Sequence, residues 1–191
     1  MNNQRIAAIF DVDGTLIAGA TLERIFIRFL RRRGELGWRE MVRWLGAAAK
    51  AAATGRLRLK AIKAYLGGKD STRLRRLARE CFENEVEPRL SPEAVNRLRW
   101  HQSAGHLVIL LSGTLDLLLE PLAERLGVYA RVGSELEVED RRFTGRITGA
   151  HPFGVTKAEC LAAINRANRF DLKRSFAYAD SFADRHLLAM V

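Results

Sequence analysis

The chain has 191 residues, 48% of them hydrophobic and 28% charged. That composition excludes wholesale disorder and collagen-like or low-complexity classes, and the length suits one domain, or one domain with a sizeable insertion. The formal net charge is +10, and the whole excess sits in one stretch: residues 18–100 hold 20 Lys+Arg against 9 Asp+Glu, while the remainder is close to neutral.

No run of about 18 uncharged apolar residues exists, so no membrane-spanning helix is expected. The first ten residues, MNNQRIAAIF, lack the basic and apolar regions of a secretory signal. Cys81 and Cys160 are too few and too far apart for a disulfide framework or a zinc site. The expected setting is the cytoplasm, with both thiols reduced. The basic segment suits nucleic acid, an anionic lipid surface, a phosphorylated substrate, or simply a solvated helical surface.

In chain order, Ile6–Phe10 reads as a buried strand ending at Asp11. From Thr21 the period changes: Leu22, Ile25, Phe26, Phe29 and Leu30 recur at helical spacing, with arginines 31–33 at the C-terminal end and Gly34 as cap. Three further helical stretches follow, at 38–53, at 57–66 (stopped by Gly67 and Gly68) and at 71–86. Ser91 and Pro92 open another helix, running to about Ala104. Leu107–Leu111 is a second buried strand, then Ser112-Gly113-Thr114, then a helix from about Leu115 to Leu126. Residues 131–148 alternate around Asp140 and Arg141 as a β-hairpin. A helix over 154–168, a short strand over 175–178 and a final helix over 187–191 complete the pattern. Alternating strands and helices around a helical insertion imply a parallel α/β sheet, in which ligands bind at the carboxyl ends of strands. Asp11, Ser112 and Asp180 are each placed there.

Asp11 and Asp13 are two apart at a strand end, so their side chains point the same way. Two close carboxylates repel unless a cation intervenes, and a hard divalent ion such as Mg²⁺ prefers oxygen ligands, often sharing its shell with phosphate. A calcium loop is excluded, because its sixth and twelfth positions would be Leu16 and Leu22 instead of Gly and Glu. A simple capped turn stays open. Ser112-Gly113-Thr114, read as a strand-to-helix turn, offers hydroxyls and backbone N–H groups to an anion or is an ordinary cap. Lys157, early in its helix, opposes the helix dipole, which suits a role facing phosphate. Asp180 and Asp184 can reach one cation together or serve as a cap and a surface acid. No P-loop, GxGxxG or G-x-S-x-G motif is present, and the four histidines are scattered and take no assigned role.

Together, FDVDGTL, LSGT, a following lysine and ADSFAD resemble the haloacid dehalogenase-like superfamily. The helical insertion, with Arg125-Leu126-Gly127-Val128, Thr144-Gly145-Arg146 and Lys157-Ala158-Glu159, is similar to the phosphoserine-phosphatase-like branch, subfamily IB. The resemblance spans essentially the whole chain. It implies a Rossmann-like parallel core from residues 1–17 and 91–191, a type-1 helical cap over 18–90, and a small β-hairpin. It implies a phosphatase in which Asp11 is the nucleophile and Asp13 the general acid and base. Ser112, Gly113 and Lys157 would hold phosphate. Mg²⁺ would bind the carboxylates of Asp11 and Asp180 and the carbonyl of Asp13, with Asp184 and Thr15 in support. The expected partner is a small phosphorylated substrate, without nucleic acid, with peripheral membrane contact through the basic cap open and the oligomeric state unassigned.

Some positions depart from the family pattern. Ala179 and Ala183 stand where Gly and Asn are common. Ala20 replaces the glutamate that grips phosphoserine's amino group, which disfavours phosphoserine, although Glu23 is a neighbouring substitute. Family members also continue with another strand where this sequence stops at Val191. Trp38 and Trp44 are expected to pack within the cap, with a membrane interface as the alternative, and Arg56, Arg58 or Lys60 to face an anionic substrate. A lipid-like phosphate, phosphoryl transfer to an acceptor other than water, and a non-enzymatic RNA- or membrane-binding module are the competing functions.

Overall fold

The computed structural model describes residues 5–38, 40, 42, 45, 46, 49 and 63–191. Five strands form one sheet: β1 (Ala7–Phe10), β2 (Leu107–Leu115), β3 (Ala130–Glu139), β4 (Arg142–Thr148) and β5 (Phe176–Tyr178), in the order β4-β3-β2-β1-β5. β1 pairs in parallel with β2 and β5, and β2 with β3. Only β4 runs antiparallel. The expected α/β architecture with a parallel sheet is therefore present.

The strands read as continuous apolar runs because both faces of the sheet are covered. Ala8, Phe10, Val108 and Leu110 face one hydrophobic cluster. Ala7, Ile9, Ile109 and Leu111 face the other, which Leu161, Phe170 and Leu187 complete. Among the described residues, six helices with continuous bounds carry the covering faces: α1 (Leu22–Arg32), α2 (Ser71–Cys81), α3 (Pro92–Ser103), α4 (Asp116–Leu126), α5 (Val155–Asn168) and α6 (Arg185–Leu188).

α1 follows from its sequence. The Thr21 hydroxyl caps it by accepting the Arg24 N–H, and Leu22, Ile25, Phe26, Phe29 and Leu30 form its buried stripe. Gly34, at φ +70, lets the chain turn back so that Glu35 N–H donates to the Leu30 carbonyl at 2.8 Å, a closure that favours glycine. The buried faces of α1 and α2 belong to the same cluster as Phe10 and Leu110. The basic segment thus shares a core with the sheet. Arg75–Glu120, Arg79–Glu124 and Arg125–Glu87 also tie it to α4, although such exposed pairs each contribute little.

Several boundaries differ from expectation. The stretch 71–86 is not one helix: α2 ends at Cys81, a π-helical turn spans Phe82–Val86, and a 3₁₀ turn spans Glu87–Arg89. Pro88 has no N–H to continue an α-helical ladder, and the wider turn keeps both Phe82 and Val86 buried. β2 runs past Leu111 to Leu115, so Ser112-Gly113-Thr114 is the irregular end of a strand and not a helix cap. Leu111 pairs with Val132 and Leu115 with Ser134, which leaves two extra residues on β2. The hairpin is not a separate ornament either, since β3 extends the main sheet. Its turn fits expectation, with Asp140 and Arg141 at φ 47 and 65, the backbone of a tight two-residue hairpin. The last helix starts at Arg185, a position earlier in the chain than the expected Leu187. Of the stretch 57–66, only its end is described, as a 3₁₀ turn over Ala64–Leu66. Arg56, Arg58, Lys60 and Trp44 lie outside the described residues.

Leu110 is fully buried at the centre of the sheet. Leu110→Ala is expected to destabilise the protein by about 2–5 kcal/mol, through lost burial and the cavity left behind, measured by urea denaturation.

Candidate active site

The carboxyl ends of β1, β2 and β5 open into one cavity of about 1180 Å³. Parallel pairing decides which residues meet there. Phe10 is level with Leu110 and with Tyr178, and Asp11 N–H continues the ladder by donating to the Tyr178 carbonyl at 2.9 Å. The chain segments carrying Asp11, Ser112 and Asp180 are thereby brought side by side. Asp11, Asp13, Ser112, Gly113, Lys157, Asp180 and Asp184 all line the cavity. Thr15 does not: its hydroxyl is buried in the turn, without a hydrogen-bond partner.

Lys157 is the electrostatic centre. It is only 3% exposed, and its ammonium lies 2.9 Å from Asp11 Oδ1 and 2.8 Å from Asp184 Oδ2. Two acids and one base in a dry site leave a net negative charge. Burial raises the Asp11 pKa above the ordinary carboxylate range, with Lys157 pulling the other way. Asp13 accepts the Leu22 N–H on Oδ1 at 2.7 Å, so the turn that carries Asp11 and Asp13 sits at the start of α1. Burial pushes the Asp13 pKa up to about 6, with the Asp11 charge adding to the rise.

Gly14 adopts φ +90, and a Cβ there would overlap the Asp180 carboxylate. Glycine is what lets Asp180 lie against the turn that carries Asp11 and Asp13. This cradle bears on a divalent cation. The side-chain donors are oxygens, the carboxylates of Asp11 and Asp180, a chemistry that suits Mg²⁺. The Asp13 side chain is engaged with α1, and among the described residues no three acidic, His or Cys side chains gather as a metal cluster. The side-chain fit is therefore to two carboxylates, those of Asp11 and Asp180.

Other groups also line the cavity, of which His151, Lys63 and Tyr65 carried no signal in the sequence. Thr114, 3% exposed, carries a hydroxyl without a hydrogen-bond partner. His151 lies 2.6 Å by Nδ1 from Ser134 Oγ, and that hydroxyl donates to the Gly113 carbonyl at 2.8 Å, bracing the bulged end of β2. From the helical segment, Glu23, Lys63 and Tyr65 face the same space. Lys63 donates to both Glu23 oxygens at 2.6 and 2.5 Å, and the Tyr65 hydroxyl donates to Oε1 at 2.5 Å. Glu23 is therefore held by Lys63 and Tyr65. Trp38 is 73% exposed and lines the cavity, so it is not packed in a core as expected.

The haloacid dehalogenase-like hydrolase model matches residues 8–189. The chain belongs to this family. It is 31% identical over 193 residues to phosphoserine phosphatase SerB1 of Mycobacterium tuberculosis, covering 97% of this chain and 62% of that protein; the chain thus spans less than two thirds of that relative's length. A Bordetella pertussis protein of unknown function superposes with a TM-score of 0.82 at 27% identity, over 98% of this chain and 87% of the other. A probable phosphoserine phosphatase from Vibrio cholerae gives a TM-score of 0.66 at 17% identity, over 100% of this chain and 56% of the other, a likeness of fold.

The Asp13 shift has a consequence for stability. A carboxyl raised in the folded state favours folding while protonated and loses that contribution as pH rises through its folded pKa. Asparagine keeps the acceptor for Leu22 N–H and cannot ionise. In EDTA, Asp13→Asn is expected to be more stable than wild type by about 1–3 kcal/mol near pH 7.5. The difference should vanish near pH 4, as read by thermal or urea denaturation.

Proposed function

We propose that this chain is a Mg²⁺-dependent phosphatase that hydrolyses a small-molecule phosphomonoester through an aspartyl-phosphate on Asp11. The observation that carries this reading is the Lys157 ammonium, buried at the floor of the cavity and shared by Asp11 and Asp184. A phosphoryl group drawn to that end finds a fixed positive charge beside a carboxylate nucleophile, and phosphoryl transfer depends on such positioning and charge neutralisation. Mg²⁺, held by the carboxylates of Asp11 and Asp180 and the Asp13 carbonyl, would neutralise phosphoryl oxygen charge.

The residues then divide the work. The Asp11 carboxylate attacks phosphorus as the bond to the leaving oxygen breaks. Asp13 donates its proton to that oxygen. Its raised pKa, about 6, keeps part of the population protonated near neutral pH, which suits a general acid. Asp13 next takes a proton from water as the water attacks phosphorus and the Asp11–phosphorus bond breaks. Ser112 and the Gly113 N–H hold the transferring oxygens, and Lys157 balances their charge. Asp184 positions Lys157, and Thr15 supports the turn without touching substrate. The segment 18–90 acts as the cap over this site, and the chain works in the cytoplasm.

Phosphoserine is disfavoured as substrate, since Ala20 offers no charge and Glu23 is already held by Lys63 and Tyr65.

Turnover of 4-nitrophenyl phosphate with Mg²⁺ is the direct test. Asp11→Asn is expected to lower kcat by at least ~10³-fold, and EDTA to abolish activity that added Mg²⁺ restores. Asp13→Asn is expected to accumulate a phosphoryl adduct on Asp11, visible by mass spectrometry. Wild-type turnover in Asp11→Asn would overturn the proposal.

A further inference from the structure

The wall of the cavity formed by α1 carries charges that hydrolysis of a bare phosphate does not use. Arg24, Ile27 and Arg31 line the cavity, at the i, i+3 and i+7 spacing of one helical face. Among the described residues, neither arginine side chain has a hydrogen-bond or ion-pair partner. Their neighbours on the basic segment are mostly paired, as in Arg32–Glu85, Arg33–Glu80 and Arg73–Glu35. The acids on the same wall are engaged too. Glu23 is closed by Lys63 and Tyr65, while Glu40 accepts the Gly37 N–H and lies 3.9 Å from Lys69. Both arginines therefore keep their charge for something that enters the cavity.

The helix also sets a length scale. α1 begins at the reaction centre, because the Leu22 N–H donates to Asp13. Arg24 lies near that end, and a rise of ~1.5 Å per residue puts Arg31 about 10 Å further along the axis. Ile27 lies between them, and Leu36 faces the same space. The cavity, about 1180 Å³, is above the roughly 300–1,000 Å³ that suits drug-sized molecules, far more than one phosphate needs.

We propose that the substrate is a phosphomonoester with an extended, partly apolar leaving group that ends in a second acidic group, phosphate or carboxylate, bound by Arg24 and Arg31. The inference rests on the phosphatase reading and adds the class of leaving group. Phosphate sits against Lys157, the apolar body runs along Ile27, and the far anion meets the guanidinium groups, which suit bidentate contact with carboxylate or phosphate oxygens.

Two measurements separate this from the phosphatase reading. Hydrolysis of phenyl phosphate, which has a single anionic group, reports the chemistry alone. Calorimetric titration with Mg²⁺ present compares alkylphosphonates with ω-phosphonoalkanoates of equal chain length, which bind without being cleaved. At the best-fitting length the carboxylate-ended ligand is expected to bind wild type about tenfold more tightly, the scale of a charge-assisted contact. That preference should disappear in the Arg24→Gln/Arg31→Gln variant. It should persist in Arg28→Gln, an exposed arginine on the same helix outside the cavity lining, which controls for net charge. Circular dichroism checks that the double variant is folded. Equal binding of the two ligand types by wild type, or a preference that survives in the double variant, overturns the proposal. Loss of phenyl phosphate hydrolysis by wild type overturns the phosphatase reading instead, and the phosphonate comparison still reads the second anion site.

Discussion

One buried ammonium organises the cavity end of this fold. Lys157 sits between Asp11 and Asp184 with almost no access to water. In such a place an ion is tolerated only with partners, and removing one partner of a buried pair typically costs about 3–5 kcal/mol. The contact joins the first turn of α5 to the end of β1 and to the segment before α6. Three parts of the chain far apart in sequence are thereby held in register, and each brings a group that the proposed chemistry needs. Stability and function pull against each other there, since two carboxylates share one lysine and Asp13 adds a third acid beside them.

The second constraint is the start of α1. Leu22 N–H donates to Asp13, so the helix that leads into the basic segment is anchored on the turn that carries Asp11 and Asp13. A helix N-terminus favours negative charge, and here it meets a carboxylate that the turn already supplies. The same helix then buries Ile25, Phe26, Phe29 and Leu30 in the cluster that covers the sheet. Its exposed face turns Arg24 and Arg31 toward the cavity. One element thus links the Asp11–Asp13 turn to the wall of the cavity that carries Arg24 and Arg31.

The charge asymmetry takes on a different meaning in three dimensions. In the sequence, residues 18–100 look like a basic surface in search of an anionic partner. In the structure much of that charge is spent on pairs across elements, with Arg75 and Arg79 against α4 and Arg33 and Arg73 against nearby glutamates. Each is worth little alone, but together they leave fewer free cations than the composition suggests. Arg24 and Arg31 differ from these pairs because they face the cavity without an acceptor.

Asp11, Asp13, Ser112, Lys157 and Asp180 were all legible as candidates from motif order and from their places near strand ends, and the strands themselves from short apolar runs. Such signals are local: period, caps and turn residues act over a few neighbours. Tertiary contacts decided the rest. The extra pairing of Leu115 with Ser134 turned an expected strand-to-helix turn into a bulged strand, and Pro88 with two buried side chains turned one expected helix into a shorter helix followed by a π-helical and a 3₁₀ turn. Thr15 pointed away from the cavity, while Thr114 and His151 came into it. Glu23 lost its freedom to Lys63, 40 residues away, an exchange that no spacing in the sequence encodes. The sequence by itself determined which chemical groups are present and on which kind of element each stands, because hydrophobic period and backbone preference are properties of neighbouring residues. Only the tertiary structure decided which of those groups are paired and which still carry free charge into the cavity, because burial and Coulomb interaction depend on distance in space.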